Sequence, residues 1–170
     1  VMMRQDPPFN LAYITATHIL EKLPKTTFII NNPCEVRNAP EKIFVTNFSH
    51  LMPKTIITRN IKAIENFRSE FKDIIIKPLY GNGGQGIFHI LPEDENLNSI
   101  LEMFFNQNKE PLMVQEYLKD VRYGDKRIIL LNGKAVGAIN RVPKLGESRS
   151  NIHVGGKPEK TGLSKRDKFI

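Results

Sequence analysis

The segment Ile74-Ile75-Ile76-Lys77-Pro78-Leu79-Tyr80-Gly81-Asn82-Gly83-Gly84-Gln85-Gly86 constrains this chain more than any other. Three consecutive isoleucines read as a buried strand that delivers Lys77 at its end. Four glycines follow within residues 81–86. Glycine lets the backbone approach a phosphate closely, so that N–H groups rather than side chains form the cradle. Lys77 would add a fixed positive charge against the same group. The loop lacks the Gly-Lys-Ser/Thr ending of a Walker A loop. It leads into Ile87 to Leu91, which read as a returning strand rather than a helix, and this excludes a Rossmann fingerprint. The alternative is a plain Gly-rich hairpin turn, but such a turn requires fewer glycines.

Around this loop the pattern alternates between short strands and helices. Phe28-Ile29-Ile30 reads as a strand ending in a turn at Asn31-Asn32-Pro33. Pro40 stands at the first position of a helix carrying Glu41, Lys42, Ile43, Phe44, Val45 and Phe48. Thr55 to Thr58 is a brief strand. Asn60 caps a helix in which Ile61, Ile64, Phe67 and Phe71 share a face. Asn96 to Asn106 is helical by pattern, and Leu112 to Leu118 is a strand. Arg127–Leu131 and Lys134–Ile139 flank Asn132-Gly133, a strong hairpin signal. Beyond Arg141 the chain is polar and Gly-rich. Hairpins at 74–91 and 127–139 imply antiparallel pairs, so the fold class is α+β, and the connector 119–124 is the natural division between two lobes.

Composition narrows the functional classes. The net charge is +7 from 25 Lys and Arg against 18 Asp and Glu. The basic residues are scattered, and the run Lys165-Arg166-Asp167-Lys168 is broken by Asp167, so a nucleic-acid stripe is not written here. A Lys-rich solvated surface accounts for the charge, and so do positive residues facing a small polyanion such as a nucleotide triphosphate, the reading that the motifs favour. One cysteine, Cys34, excludes an internal disulfide framework and a cysteine zinc site, and fits a reducing cytoplasm. No run approaches the ~20 apolar residues of a membrane span. The first residues do not form a signal peptide. Both ends read as cut: Val1-Met2-Met3 is the end of a buried strand, and the helix capped by Ser164 runs to Ile170 without a C-cap. The chain is expected to be a piece of a longer protein.

Three further segments carry candidate chemistry. The strand end Gln115-Glu116-Tyr117-Leu118 offers backbone groups and apolar neighbours that could hold an adenine. In Tyr123-Gly124-Asp125-Lys126-Arg127, Asp125 could accept from ribose hydroxyls and Arg127 could face phosphate or carboxylate. Taken alone, a turn Asp with surface Lys and Arg is the stronger reading of that segment. Asn140-Arg141-Val142-Pro143, Glu147-Ser148-Arg149-Ser150-Asn151 and His153-Val154-Gly155-Gly156 suit recognition of anionic oxygens, or form a free polar loop. His153 reads as a local hydrogen-bonding residue rather than a base.

In this order, the segments resemble the ATP-grasp ligases, and among them the bacterial glutathione synthetase family. The resemblance is carried by MRQDPPF (3–9), Asn32-Pro33, EKIF (41–44), IIKPLYGNGG (75–84), QEYL (115–118), GDKR (124–127), NRVP (140–143) and ESRSN (147–151). It implies an ATP-grasp fold with two α+β lobes and nucleotide between them. Residues 1–38 would end a preceding substrate (preATP-grasp) domain, 39–119 form the small lobe, and 120–170 begin a truncated large lobe. Lys42 and Lys77 match the family's phosphate lysines, Gly81, Gly83 and Gly84 its flexible loop, and Gln115, Glu116, Tyr117 and Leu118 its adenine hinge. Asp125 matches the ribose contact. Arg127, Arg141 and Arg149 match arginines near an acyl-phosphate centre. Arg4, Asp6 and Asn151 fall at positions near substrate.

The resemblance also implies the reaction of ATP with γ-glutamylcysteine and glycine through an acyl phosphate, in a cytoplasmic homo-oligomer with no nucleic-acid or membrane partner. The Mg²⁺ ligands would lie beyond Ile170, with none in this chain, so the piece alone is expected to be inactive. A sister carboxylate–amine ligase and a non-catalytic nucleotide-binding module are the competing readings.

Overall fold

The computed structural model describes residues 1–147 and 149–169. Ser148, in the ESRSN loop, and Ile170, at the end of the C-terminal segment, lie outside the described residues. The chain divides into two compact units, Val1–Tyr117 and the residues from Leu118 onward.

The first unit opens with three helices, α1 (Leu11–Glu21), α2 (Pro33–Asn38) and α3 (Glu41–Phe44). Asn10 caps α1 by accepting from Tyr13 N at 3.1 Å. Asn32 caps α2, accepting from Cys34 N at 2.9 Å, with Pro33 in the first turn. The Asn-Asn-Pro signal therefore starts a helix where the sequence reads as a turn, because Pro at a helix start forfeits no hydrogen bond. Arg37 ties the two helices together, donating to both Glu21 oxygens (2.9 and 3.1 Å) and to Thr17 Oγ1 (3.0 Å). The expected strand at 28–30 is reduced to a single parallel bridge between Met2 and Ile30. Pro40 is the cap of α3 rather than its first residue. The helix expected to run through Phe48 gives way to a 3₁₀ segment, Val45–Leu51, kinked at Phe48.

The core of this unit is a four-stranded antiparallel sheet made by β1 (Thr55–Thr58), β2 (Ile74–Pro78), β3 (Phe88–Ile90) and β4 (Leu112–Glu116), in the order β1-β4-β2-β3. Helix α4 (Ile61–Phe71) links β1 to β2, and α5 (Leu97–Gln107) links β3 to β4. Asn60 caps α4 by accepting from Ala63 N at 3.0 Å. Ile64 and Phe67 of α4 and Leu97, Leu101 and Phe104 of α5 pack with Ile74, Ile76, Ile90, Leu112 and Val114. Each such side chain contributes about 1.5–3 kcal/mol on burial.

Side chains alternate faces along a strand, so Ile74 and Ile76 enter this core while Ile75 and Lys77 point to the opposite face. Their register partners Gln115 and Met113 lie on that opposite face too. The core thus fixes which way Lys77 points.

The second unit is built on the antiparallel hairpin β5 (Asp125–Leu131) and β6 (Lys134–Val142). Asn132 (φ 49°) and Gly133 (φ 73°) form its turn in the left-handed region. A third strand, β7 (Lys157–Lys160), pairs with β6. All four β7 residues are exposed, so no apolar alternation marks it in the sequence. The helix α6 (Lys165–Phe169) begins with a reciprocal cap: Asp167 N donates to Ser164 Oγ at 3.1 Å and Ser164 N donates to Asp167 Oδ2 at 2.7 Å. Among the described residues, no helix is long and apolar enough to cross a membrane.

Candidate functional site

The glycine loop leaves the end of β2 with Gly81, Gly83, Gly84 and Gly86 all at positive φ. At Gly81, φ is 127°, a value that side-chain-bearing residues rarely adopt, so the turn out of the strand depends on glycine there. Lys42, from α3, reaches across to this turn. Its Nζ donates to the carbonyls of Leu79 and Gly81, each at 3.1 Å. Its neighbour Glu41 accepts from Gly81 N at 3.2 Å through Oε2, and the same oxygen lies 3.5 Å from Lys42 Nζ. Burial, and then the Lys42 charge, lower the Lys77 ammonium from its ordinary value to about 8. One cation therefore meets the start of the glycine loop and a second sits at the end of the strand that leads into it, an arrangement suited to a polyphosphate.

At the end of β4, Gln115 is buried and donates through Nε2 to Thr55 Oγ1 at 2.8 Å. Glu116 N donates to Lys54 O and Tyr117 N to Asp73 O, each at 3.0 Å, so sheet pairing already engages both of these N–H groups. The Tyr117 ring stacks on His89 with centroids 3.9 Å apart, and His89 Nε2 lies 3.7 Å from Asp73 Oδ1. Leu118, which is exposed, begins the second unit.

In the second unit, Asp125 and Arg141 are register partners on β5 and β6. Arg141 donates through Nε to Asp125 Oδ1 at 2.7 Å and through Nη2 to Oδ2. Arg141 is only 8% exposed and Ser150 only 6%. Burial pushes the Asp125 carboxyl up, but hydrogen bonds from Arg141 and Ser150 and the charges of Arg141 and Arg127 outweigh it, and the group is held below its ordinary value. Arg127 is exposed.

Arg149 pairs with Glu147, Nη2 to Oε2 at 2.6 Å, and this hydrogen bond holds its guanidinium above its ordinary value. Asn151 caps a 3₁₀ turn, Ile152–Val154, and its carbonyl accepts from Gly156 N at 3.1 Å. Arg4 and Asp6 are exposed in the first unit. The structure thus gathers Lys42, Lys77 and Gly81 in one cluster and Asp125 with Arg141 in another. Sequence reasoning missed Glu41 and Ser150. Glu41 is signalled only by its place beside Lys42, and Ser150 by nothing in its spacing.

Comparison with known proteins shows the family. The family model for the prokaryotic glutathione synthetase ATP-grasp domain matches residues 41–170, and that for the prokaryotic glutathione synthetase N-terminal domain matches 1–37. The chain belongs to the prokaryotic glutathione synthetase family. It is 60% identical over 170 residues to the glutathione synthetase of Mesorhizobium japonicum, covering all of this chain and 54% of that protein. With the glutathione synthetase of Agrobacterium fabrum it shares 56% identity, covering 53% of that protein. The chain spans about half the length of the curated relatives it matches.

Among solved structures, the ATP-grasp ligase PsnB, in a complex with a phosphomimetic variant of its minimal precursor, Mg and ADP, is similar in fold. Its TM-score is 0.63 at 20% identity, covering 91% of this chain and 48% of that one. The α+β, ATP-grasp expectation is therefore met for this glutathione synthetase family member. Among the described residues, no group of three or more His, Cys, Asp or Glu side chains is arranged to hold a metal ion.

Proposed function

We propose that the full-length protein is an ATP-dependent carboxylate–amine ligase, glutathione synthase, and that this chain supplies much of its ATP-binding half. The observation that carries the reading is Lys42 reaching the carbonyls of Leu79 and Gly81 where the glycine loop begins, near enough to Lys77 for its charge to lower that ammonium. Family membership supports the reaction class. The domain organisation we assign is 1–38, 39–119 and 120–170.

In the reaction, a carboxylate oxygen of γ-glutamylcysteine attacks the γ-phosphorus of ATP, ADP leaves, and an acyl phosphate forms. The amine of glycine then adds to the acyl carbon, inorganic phosphate departs, and the amine loses a proton to give glutathione. Negative charge builds on the transferring phosphoryl group and on the tetrahedral carbon. Preorganised cations and N–H donors stabilise that charge without a nucleophilic side chain. Lys42 and Lys77 act as electrostatic clamps on the phosphates, and residues 115–118 receive the adenine. Asp125 serves the ribose, and Arg127, Arg141 and Arg149 serve the acyl-phosphate centre. Arg4, Asp6 and Asn151 serve the peptide substrate. Magnesium accompanies ATP, and the protein works as a cytoplasmic homo-oligomer.

The test is ADP release by the full-length protein with ATP, Mg²⁺, γ-glutamylcysteine and glycine, leaving out each in turn. Turnover that needs both amino components establishes the synthase. Turnover with other carboxylate and amine pairs alone moves the assignment to a sister ligase.

A further inference from the structure

We propose that the Glu41 carboxylate is a built-in stand-in for a phosphate, which occupies the donors of the glycine loop until a polyphosphate displaces it. The inference rests on the reading of Lys42 and the glycine loop as the nucleotide phosphate site.

Two donors carry the argument. Gly81 N–H opens the glycine loop, and Lys42 Nζ is the cation reaching it from α3. Both are positioned for an anion, and both already face one: Glu41 Oε2, at 3.2 Å from Gly81 N and 3.5 Å from Lys42 Nζ. The other carboxylate oxygen is less well placed. Glu41 Oε1 is buried and has no hydrogen-bond partner among the described residues. A buried carboxylate with one satisfied and one unsatisfied oxygen is held poorly, because the desolvation of Oε1 is not compensated. It stays because the Lys42 ammonium, 3.5 Å from Oε2, needs a counter-charge when no nucleotide is present.

Displacement has a direction. A triphosphate brings several oxygens and several negative charges to the same donors, and charge-assisted bonds of that kind outcompete one imperfectly seated carboxylate. Orthophosphate, with fewer contacts, does not. Glu41 then sets a threshold: it admits nucleoside polyphosphates and rejects the single phosphate that the proposed reaction releases. It is a positioning and selectivity residue, since it acts on substrate only by yielding its donors.

A supporting role for Glu41 predicts the opposite sign from displacement. If the carboxylate merely braces the loop, Glu41→Gln weakens nucleotide binding. If it competes with phosphate, Glu41→Gln tightens it. The experiment is equilibrium calorimetry of the full-length protein and its Glu41→Gln and Glu41→Asp variants with ADP, tripolyphosphate and orthophosphate. Gln keeps the shape and loses the charge, while Asp keeps the charge and shortens the reach to Gly81.

The expected result is affinity for ADP and tripolyphosphate raised about tenfold in Glu41→Gln and raised less in Glu41→Asp, with measurable orthophosphate binding in Glu41→Gln alone. Unchanged or weaker binding in a folded Glu41→Gln overturns the proposal and leaves the nucleotide site standing. A folded wild type that binds neither ADP nor tripolyphosphate overturns the site and this inference together. Should Glu41→Gln fail to fold, Glu41→Asp decides: tighter polyphosphate binding supports displacement, and weaker or equal binding overturns it.

Discussion

Asp125 and Arg141 stand opposite each other on β5 and β6, and Arg141 closes on both oxygens of the carboxylate. The pair is asymmetric in burial, with Arg141 nearly enclosed and Asp125 partly open. Removing the acid strands a buried guanidinium. Asp125→Ala is expected to cost about 1–3 kcal/mol of stability at neutral pH, read as a lower urea midpoint. The acid's folded pKa lies below its unfolded one, so its contribution is complete above about 3.9 and fades as the pH falls through the lower folded value. Wild type and variant should therefore differ clearly at pH 7, and the gap should narrow progressively below pH ~4. A gap that persists undiminished into strong acid would contradict the pairing.

Lys77 gives the opposite pH signature. Its folded pKa is about 8, below the ~10.4 of an unfolded lysine. Between these values the unfolded chain binds the extra proton, so stability rises as the pH climbs through that window. Nucleotide affinity should decline over the same range, because the neutral amine no longer draws phosphate. Titrating ADP binding from pH 7 to 9.5 checks this. Lys77→Arg, which remains charged throughout, should flatten the decline.

Gly156 lies where a Cβ would run into the carbonyl of Ser150, so even alanine forces the backbone to move. Gly156→Ala is expected to cost about 1–3 kcal/mol and to raise amide exchange in residues 149–156. Gly162 supplies the control: nothing lies near its Cβ position, and Gly162→Ala should stay within about 0.5 kcal/mol of wild type. Equal effects at the two glycines would contradict the close approach.

Leu101 is fully enclosed between α5 and the sheet. Leu101→Ala should lower stability by about 2–5 kcal/mol, through lost burial and the cavity left behind. Leu145, fully exposed in the second unit, should tolerate alanine with a change near zero. Chemical denaturation of both variants provides the comparison.

The parts of this fold that sequence made legible share a physical cause. Strand β1 was bounded correctly by its β-branched run, β2 by its isoleucines, α4 by Asn60 and its apolar face, and the β5–β6 turn by Asn132-Gly133. Each carries a local signal strong enough to survive without tertiary context. Helix α1 has a capping Asn10 but buries only Thr17, so no apolar face marks it, and its tie to α2 runs through Arg37. Strand β7 exists by pairing with β6 and buries nothing of its own.

The candidate site divides in the same way. The glycines and Lys77 announce themselves in one contiguous segment. The convergence of Lys42 on Leu79 and Gly81 spans residues far apart in the chain, and only the fold displays it. The bond between Asp125 and Arg141 depends on strand register, which no composition specifies.

The β1-β4-β2-β3 order also sets a timetable. Ile76 finds Phe88 through a short closure, and the glycine loop lies inside it. Thr55 must wait for Gln115, about five times further along the chain. Each doubling of a loop costs only about 0.6 kcal/mol in closure entropy, but distant pairing still follows local pairing in time. As the polypeptide lengthens from its N-terminus, the glycine loop takes shape in the β2–β3 hairpin, the first of the sheet's pairings to be complete in the chain. Residues 115–118 arrive later, with the last strand to enter the sheet.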